Sequence, residues 1–376
     1  MIPKEIFEQS IRRYFEPIVP YLEDDSVSEI MINGPNDIWV EISGKLHKTD
    51  ASFPVEDDLV SGAKNIAQYV GKTLNELNPR MDARLPDGSR VHVVLPPCAR
   101  NGVTIAIRRF GKFSLTMDKL MGYGSITAVG AKFINICVQM ERNLIVAGGT
   151  GSGKTSLLNC ISTLINPDER ILVIEDSSEL QLQQPHVVML EARGPDSKGR
   201  GRVEIGDLFH SAMRLRPDRI VIGEIRGGEA LSLLQAMTSG HGGSMSTTHA
   251  TYPDDTLRRL ETMAMMSEVE MPLMALRSQV AAAIQMIVQT SRFNDGSRKI
   301  THIAECLGLA ENGEYKIYPI FEFRHRGYGP EGKVLGQLEP CGNVPTFFDA
   351  VLERGLEIDE SWFMPQQQER QPRRRR

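Results

Sequence analysis

The sequence predicts a two-part α/β protein, and three observations carry that prediction. Between residues 143 and 248, apolar strand-like runs alternate with longer helical runs, the pattern of a mainly parallel sheet covered by helices. Before about residue 112 the chain reads as short β segments punctuated by turn signals, the pattern of a smaller α+β module. Between one apolar run and a helical run opened by Ser156 stands a glycine-rich octapeptide, Gly148-Gly149-Thr150-Gly151-Ser152-Gly153-Lys154-Thr155. A length of 376 residues suits two domains of ordinary size.

Taken in order, Ile6, Phe7, Ile11, Tyr14, Phe15 and Ile18 recur at helical spacing and predict an opening amphipathic helix packed on its own domain. Short strands are expected at 30–32 and 38–42, separated by Asn33-Gly34-Pro35-Asn36, then a helix at 56–69 and strands at 89–95 and 103–108. The first domain is placed at 1–112. The second, at 113–330, is expected to hold strands at 143–147, 171–174, 187–190, 219–222 and 244–248, with 194–202 as a polar surface loop. Residues 331–376 read as a C-terminal extension ending in Arg373–Arg376, either a disordered tail or a weak anchor for acidic lipid headgroups or an acidic partner.

Composition narrows the function. A formal charge of -5 argues against a protein that wraps nucleic acid by bulk electrostatics. Aromatics make up only 6% of residues and no Lys/Arg-rich segment is interleaved with them, so no nucleic-acid partner is expected. The five cysteines, Cys98, Cys137, Cys160, Cys306 and Cys341, include no C-x-x-C pair and suggest neither a disulfide framework nor a tetrathiolate zinc site. Charges at Lys4, Glu5, Glu8, Arg12 and Arg13 interrupt any signal-peptide core, and no charge-free apolar run reaches the roughly 18 residues needed to span a bilayer. A protein inside the cell with at most peripheral membrane contact is the expectation.

The octapeptide satisfies G-x-x-x-x-G-K-[ST] in the required strand–loop–helix context. Its glycines let successive N–H groups face phosphate oxygens, Lys154 reaches the β and γ phosphates, and Thr155 offers a hydroxyl to Mg²⁺. Hydrolysis needs carboxylates at neighbouring strand ends, and two are present: 171–174 runs into Glu175, and 219–222 runs through Gly223 into Glu224. Glu224 is the first choice to polarise the attacking water, directly or through the metal's water shell, because a single acid follows its apolar strand and Gly223 lets the backbone approach closely. Glu175, supported by Glu179, is the competing candidate, and spacing alone does not separate them. Gly240–His249 is a glycine-rich approach to a strand ending in histidine, so His249 reads either as a γ-phosphate sensor or as a structural residue. His241 and His249 lack the spacing of a helical zinc pair. Arg84, Arg90, Arg108 and Arg109 in the first domain are candidate arginine fingers.

The order GGTGSGKT, VIEDSSEL, LRPDRIVIGEIRGGEA, GHGGSMSTTHA resembles the Walker A, Asp box, Walker B and His box of the type II/IV secretion and pilus-motor ATPase superfamily. Upstream, DDSVSEIMINGPNDIWVE and DARLPDGSRVHVVLPP, and downstream RKITHIAECLGLAENGEYKIYPIFEFR, resemble its CpaF-like tight-adherence (Flp) pilus branch. The resemblance implies a RecA-like ATPase domain, a PAS-like N-terminal domain, nucleotide at their junction, and a cytoplasmic homo-hexamer docked on inner-membrane pilus or secretion platform proteins. It also implies ATP and Mg²⁺ as ligands, with Lys154 and Thr155 in Walker A, Glu175 and Glu179 in the Asp box, Glu224 in Walker B, and His241 and His249 in the His box. Two departures bear on docking: the tetracysteine module of some relatives is absent, and the N-terminus is shorter than that of some pilus motors. The expected function is an ATP-hydrolysing assembly motor, with a type IV secretion motor, a nucleic-acid translocase and a non-catalytic nucleotide-dependent scaffold as rivals.

Overall fold

The computed structural model describes residues 4–42, 44–109, 115–195 and 199–365. The arginine tail and the centre of the 194–202 loop lie outside the described residues. The chain divides into two compact units, Met1–Phe113 with Arg193–Arg202, and Ser114–Ala192 with Val203–Arg376.

In the first unit, helix α1 (Lys4–Tyr14), the short α2 (Val19–Glu23) and α3 (Glu56–Tyr69) accompany a six-stranded antiparallel sheet. Its strands are β1 (Val27–Asn33), β2 (Ile38–Ile42), β3 (Lys45–Lys48), β4 (Arg80–Arg84), β5 (Arg90–Val94) and β6 (Thr104–Arg108), in the order β3-β2-β1-β6-β5-β4. The expected opening helix forms, with Phe7, Ile11 and Phe15 buried at i, i+4 and i+8, whereas Ile6 faces solvent. Gly62 of α3 has no side chain because an added Cβ would stand 2.7 Å from the Phe15 ring. In the 33–36 turn, Gly34 has φ +90 and no room for a Cβ beside the Asn101 carbonyl. The strands missing from the sequence reading, β3 and β4, are the two sheet edges. Four exposed residues form β3, and only Met81 of β4 is fully buried, so neither carries an alternating apolar signal.

The second unit begins with α4 (Met117–Gly122) and α5 (Ala128–Gln139), followed by β7 (Leu144–Gly148), α6 (Lys154–Ser162), β8 (Ile171–Glu175), β9 (Val187–Glu191), α7 (Ile205–Ala212), β10 (Arg219–Ile222), α8 (Glu229–Thr238) and β11 (Met245–Thr248). All five strands expected here form. The chain continues through α9 (Pro253–Ala264), α10 (Leu273–Ala283), β12 (Met286–Arg292), β13 (Arg298–Leu309), β14 (Tyr315–Tyr328), β15 (Val334–Pro340) and α11 (Phe348–Glu353). One nine-stranded sheet results, ordered β15-β14-β13-β12-β7-β11-β10-β8-β9. Strands β12 through β9 in that order are parallel, while β13, β14 and β15 form an antiparallel arm.

Residues 331–365 add a strand and packed aromatic rings to this sheet rather than standing apart as an extension. β15 pairs with β14, and Phe347 and Phe363 pack on Phe133 of α5 and Phe321 of β14, burying rings that would otherwise face water. Four parallel strands, β7, β11, β10 and β8, are buried along their whole length; β7, β8 and β10 are correspondingly apolar, while β11 buries Ser246, Thr247 and Thr248. Their carboxyl ends share one edge of the sheet, where open α/β sheets bind ligands. Among the described residues no helix is long and apolar enough to cross a membrane.

Candidate active site

The glycine-rich loop leaves β7 at that edge. Gly148 is obligatory, since a Cβ there would stand 2.5 Å from both Ser152 Oγ and the Thr290 carbonyl. Gly151 and Gly153 take φ of +71 and +91, a left-handed backbone that glycine adopts without steric cost. Gly153 is the N-cap of α6 and carries no capping side chain, so first-turn N–H groups remain available to an anion, as at other helix N-termini that bind phosphate. Thr155 and Ser156 follow in that turn, half-buried and exposed respectively.

Lys154, the first residue of α6, is withdrawn into the protein at 8% exposure. Its Nζ donates to the Gly149 carbonyl at 3.1 Å and lies 3.3 Å from His249 Nδ1. Burial holds its pKa below the usual lysine range. His249 follows β11, and its Nε2 is 2.8 Å from Glu224 Oε1. Burial and the Lys154 charge lower the His249 pKa, which favours a neutral ring. The network assigns the tautomer: Nε2–H donates to Glu224 and Nδ1 accepts from Lys154. Beyond it, Glu224 Oε2 accepts from Arg226 Nη2 at 2.6 Å and Nε at 2.9 Å, and Arg226 Nη1 reaches Asp176 at 3.3 Å. Five side chains, one from the start of α6 and four from the segments that follow β11, β10 and β8, thus alternate donor and acceptor across the sheet edge.

Glu175 ends β8 one strand away. At 3% exposure, its Oε1 accepts the Glu179 and Leu180 N–H groups at 2.9 and 3.0 Å. Burial nevertheless pushes its pKa up to about 7. Glu175 Oε2 and Thr248 Oγ1 are buried at this edge without a hydrogen-bond partner. The uncapped glycine cradle and these orphaned oxygens fit a nucleotide triphosphate. Among the described residues no group of three or more His, Cys, Asp and Glu side chains forms a metal cage. The Thr155 hydroxyl in the first turn of α6 is the kind of single protein ligand that Mg²⁺ takes when phosphate and water supply the rest.

Over residues 12–320 the sequence matches the family described as Type II/IV secretion system protein. The chain belongs to that family. It is an ATPase of the type II/IV secretion class. It is 33% identical over 291 residues to a putative conjugal transfer protein of Mycobacterium tuberculosis, a match covering 76% of this chain and 82% of that one. It is 32% identical over 311 residues to the type IV secretion system protein PtlH of Bordetella pertussis, covering 76% and 91%. The fold is similar to that of the Legionella pneumophila ATPase DotB, with a TM-score of 0.56 at 20% identity, covering 80% of this chain and 82% of that one.

In this secretion ATPase the structure brings Lys154, Glu224 and His249 together, with Glu175 and Glu179 close by. Glu179 adds its negative charge to the field at Lys154. His241 is elsewhere. It precedes β11 at the opposite end from His249, next to the start of β7, where Ser244 Oγ donates to its carbonyl at 2.9 Å. Four strand residues at about 3.3 Å each separate the two ends, so His241 is corrected from nucleotide ligand to structural turn residue.

The four candidate finger arginines all lie in the first unit and differ among themselves. Arg84, Arg90 and Arg108 are cross-strand neighbours at one end of β4, β5 and β6, continued by Glu29 and Glu41 on β1 and β2. Arg90 also reaches Asp82 at 3.4 Å. Arg109 is committed within its own unit: Nη1 donates to the Asp24 and Val27 carbonyls and Nη2 pairs with Asp25 at 3.7 Å. These contacts set Arg109 apart from the other three candidates.

Arg226 was missed by sequence reasoning. Its signal was present, because in an extended backbone a residue two beyond Glu224 returns to the same side. Arg259 on α9, whose charge acts on both Lys154 and His249, left no comparable signal; only the tertiary fold brings α9 to the site.

Proposed function

We propose that this secretion ATPase is the motor of a tight-adherence (Flp) pilus, working as a cytoplasmic homo-hexamer at the inner membrane on a pilus or secretion platform. The observation that carries the ATPase chemistry is the Lys154–His249–Glu224–Arg226 chain laid across the glycine loop. The Flp assignment rests on the sequence segments flanking the nucleotide motifs.

ATP binds with its phosphates against the loop N–H groups and Lys154. The arriving γ-phosphate draws Lys154 from the Gly149 carbonyl and His249, so His249 reports whether that phosphate is present. Glu224, held by His249 and Arg226, orients a water and accepts its proton as the water oxygen attacks the γ-phosphorus. The bond to the β-phosphate oxygen breaks and ADP leaves. General-base assistance of this kind contributes about 10²- to 10⁴-fold. A magnesium ion held by Thr155, with Glu175 and Glu224 toward its water shell, would neutralise phosphate charge. Arg84, Arg90, Arg108 and Arg109 are the finger candidates on the domain at 1–112.

A type IV secretion motor is the second reading, favoured by the conjugal-transfer and PtlH relatives. Phosphate release by the purified chain, with its mass in the presence and absence of a slowly hydrolysed ATP analogue, tests the motor. No phosphate release, or a monomer under both conditions, defeats it. Restoring pilus assembly or secretion in a strain lacking the gene decides between the two machines.

A further inference from the structure

We propose that the β12–β13 strand pair belongs to the nucleotide site, with Thr290 and Arg298 as positioning residues that pre-set the phosphate loop for ATP. The proposal rests on reading 148–155 as the nucleotide loop and adds residues outside every motif that defines it.

The loop carbonyls are not left to water. Gly149 O accepts from Ser152 Oγ at 2.8 Å and Lys154 Nζ at 3.1 Å, both within the loop. The next two holds come from outside it. Arg298 Nε donates to Gly151 O at 2.9 Å, and Thr290 Oγ1 donates to Ser152 O at 3.1 Å. Thr290 is 4% exposed, and its hydroxyl also lies 3.2 Å from the Lys299 carbonyl, so one proton serves two acceptors. The stem of Arg298 lies against Gly153, 3.2 Å from where a Cβ would stand.

Peptide planarity turns these holds into aim. A carbonyl drawn toward one side points the following N–H to the other, so the Thr290 hold on Ser152 O directs Gly153 N–H away from β12. A glycine-rich loop otherwise samples many conformers, and ordering them on binding reduces affinity.

The strand pair is rigid enough to impose this geometry. Buried Lys299 donates to the Tyr123 and Gly124 carbonyls at 3.0 and 2.9 Å. Ser125 Oγ donates to the Arg298 carbonyl at 2.6 Å. Asp295 closes the turn by accepting from Ser297 Oγ at 2.6 Å and Val334 N at 2.8 Å. Phosphate loop, strand pair and the end of α4 form one hydrogen-bonded series.

The test measures affinity of the full chain for a fluorescent ATP analogue, together with KM and kcat for ATP and a thermal melt of each variant. Arg298→Ala should weaken binding about ten- to a hundredfold, the size expected for one charge-assisted hydrogen bond, with KM rising more than kcat falls. Arg298→Gln, a neutral donor, should recover much of that loss, as should Arg298→Lys. Thr290→Val should weaken binding while Thr290→Ser does not. Unchanged affinity in both Arg298→Ala and Thr290→Val overturns the proposal. So does recovery by Lys alone with Gln behaving as Ala, which would mean direct charge contact with the anion. A parent chain that fails to bind, or a Lys154→Ala variant that binds as tightly as the parent, instead defeats the loop assignment itself.

Discussion

Glu175 and Glu224 stand at the carboxyl ends of neighbouring parallel strands, and their spacing does not separate them, yet they sit in opposite electrostatic settings. Glu175 is buried, satisfied on one oxygen by two backbone N–H groups and pushed up to about 7. Glu224, one residue farther along the paired register, has its side chain 19% exposed and lies between His249 and Arg226. The intervening Gly223 makes this divergence: a Cβ there would stand 2.9 Å from Glu175 Cγ, so only glycine lets Glu175 tuck behind the strand tip. The lesson is that acid chemistry at a strand end is set by what packs over the carboxylate. Glu224 is the carboxylate tied to His249 and Arg226, and Glu175 the desolvated one with the raised pKa.

The comparison breaks most directly at Glu224. Glu224→Gln should retain nucleotide binding and lower phosphate release by about 10²- to 10⁴-fold, whereas Glu175→Gln should cost far less. Equal losses in a steady-state assay would erase the distinction. Arg226→Ala comes next: freeing Glu224 Oε2 should reduce kcat by about tenfold or more, the scale of a lost ion-paired hydrogen bond, with a smaller change in KM.

Glu175 sharpens the contrast through pH. Its folded pKa is raised, so it is neutral in both states below about 4.5, the ordinary value. As pH rises toward about 7 the unfolded chain releases a proton that the folded chain retains, and stability falls until the folded carboxyl ionises. The melting temperature of Glu175→Gln relative to the parent should therefore climb between about pH 5 and about pH 8. A flat difference would show that Glu175 is not held neutral.

The smallest expected effect lies at Thr247, fully buried, whose Oγ1 donates to the Gly223 carbonyl at 2.7 Å. Thr247→Val should destabilise by about 1–3 kcal/mol in denaturant unfolding, since it strands a buried carbonyl. If the tip of β10 positions Glu224, turnover should fall with it.

Much of the active edge was legible in the sequence. The two strand-end carboxylates declared themselves because the buried strands β8 and β10 are apolar runs and the residues following them stand out, while the octapeptide and His249 were marked by glycine-rich sequence. His241 was misassigned because a histidine at either end of a four-residue strand looks alike in sequence. The tether on Arg109 was not legible because the carbonyls that hold it lie more than eighty residues away. β3 and β4 were invisible because edge strands need little apolar surface.

By itself the sequence determined that a phosphate-binding turn would form between a buried strand and a helix, because glycine backbone freedom and strand hydrophobicity are local properties. Tertiary structure alone decided which carboxylate is desolvated, that Arg226 rather than water flanks Glu224, and that Arg298 and Thr290 brace the loop. Those outcomes depend on which surfaces exclude solvent and which distant donors come within 3 Å or so, and burial and proximity are properties of the packed chain rather than of any segment.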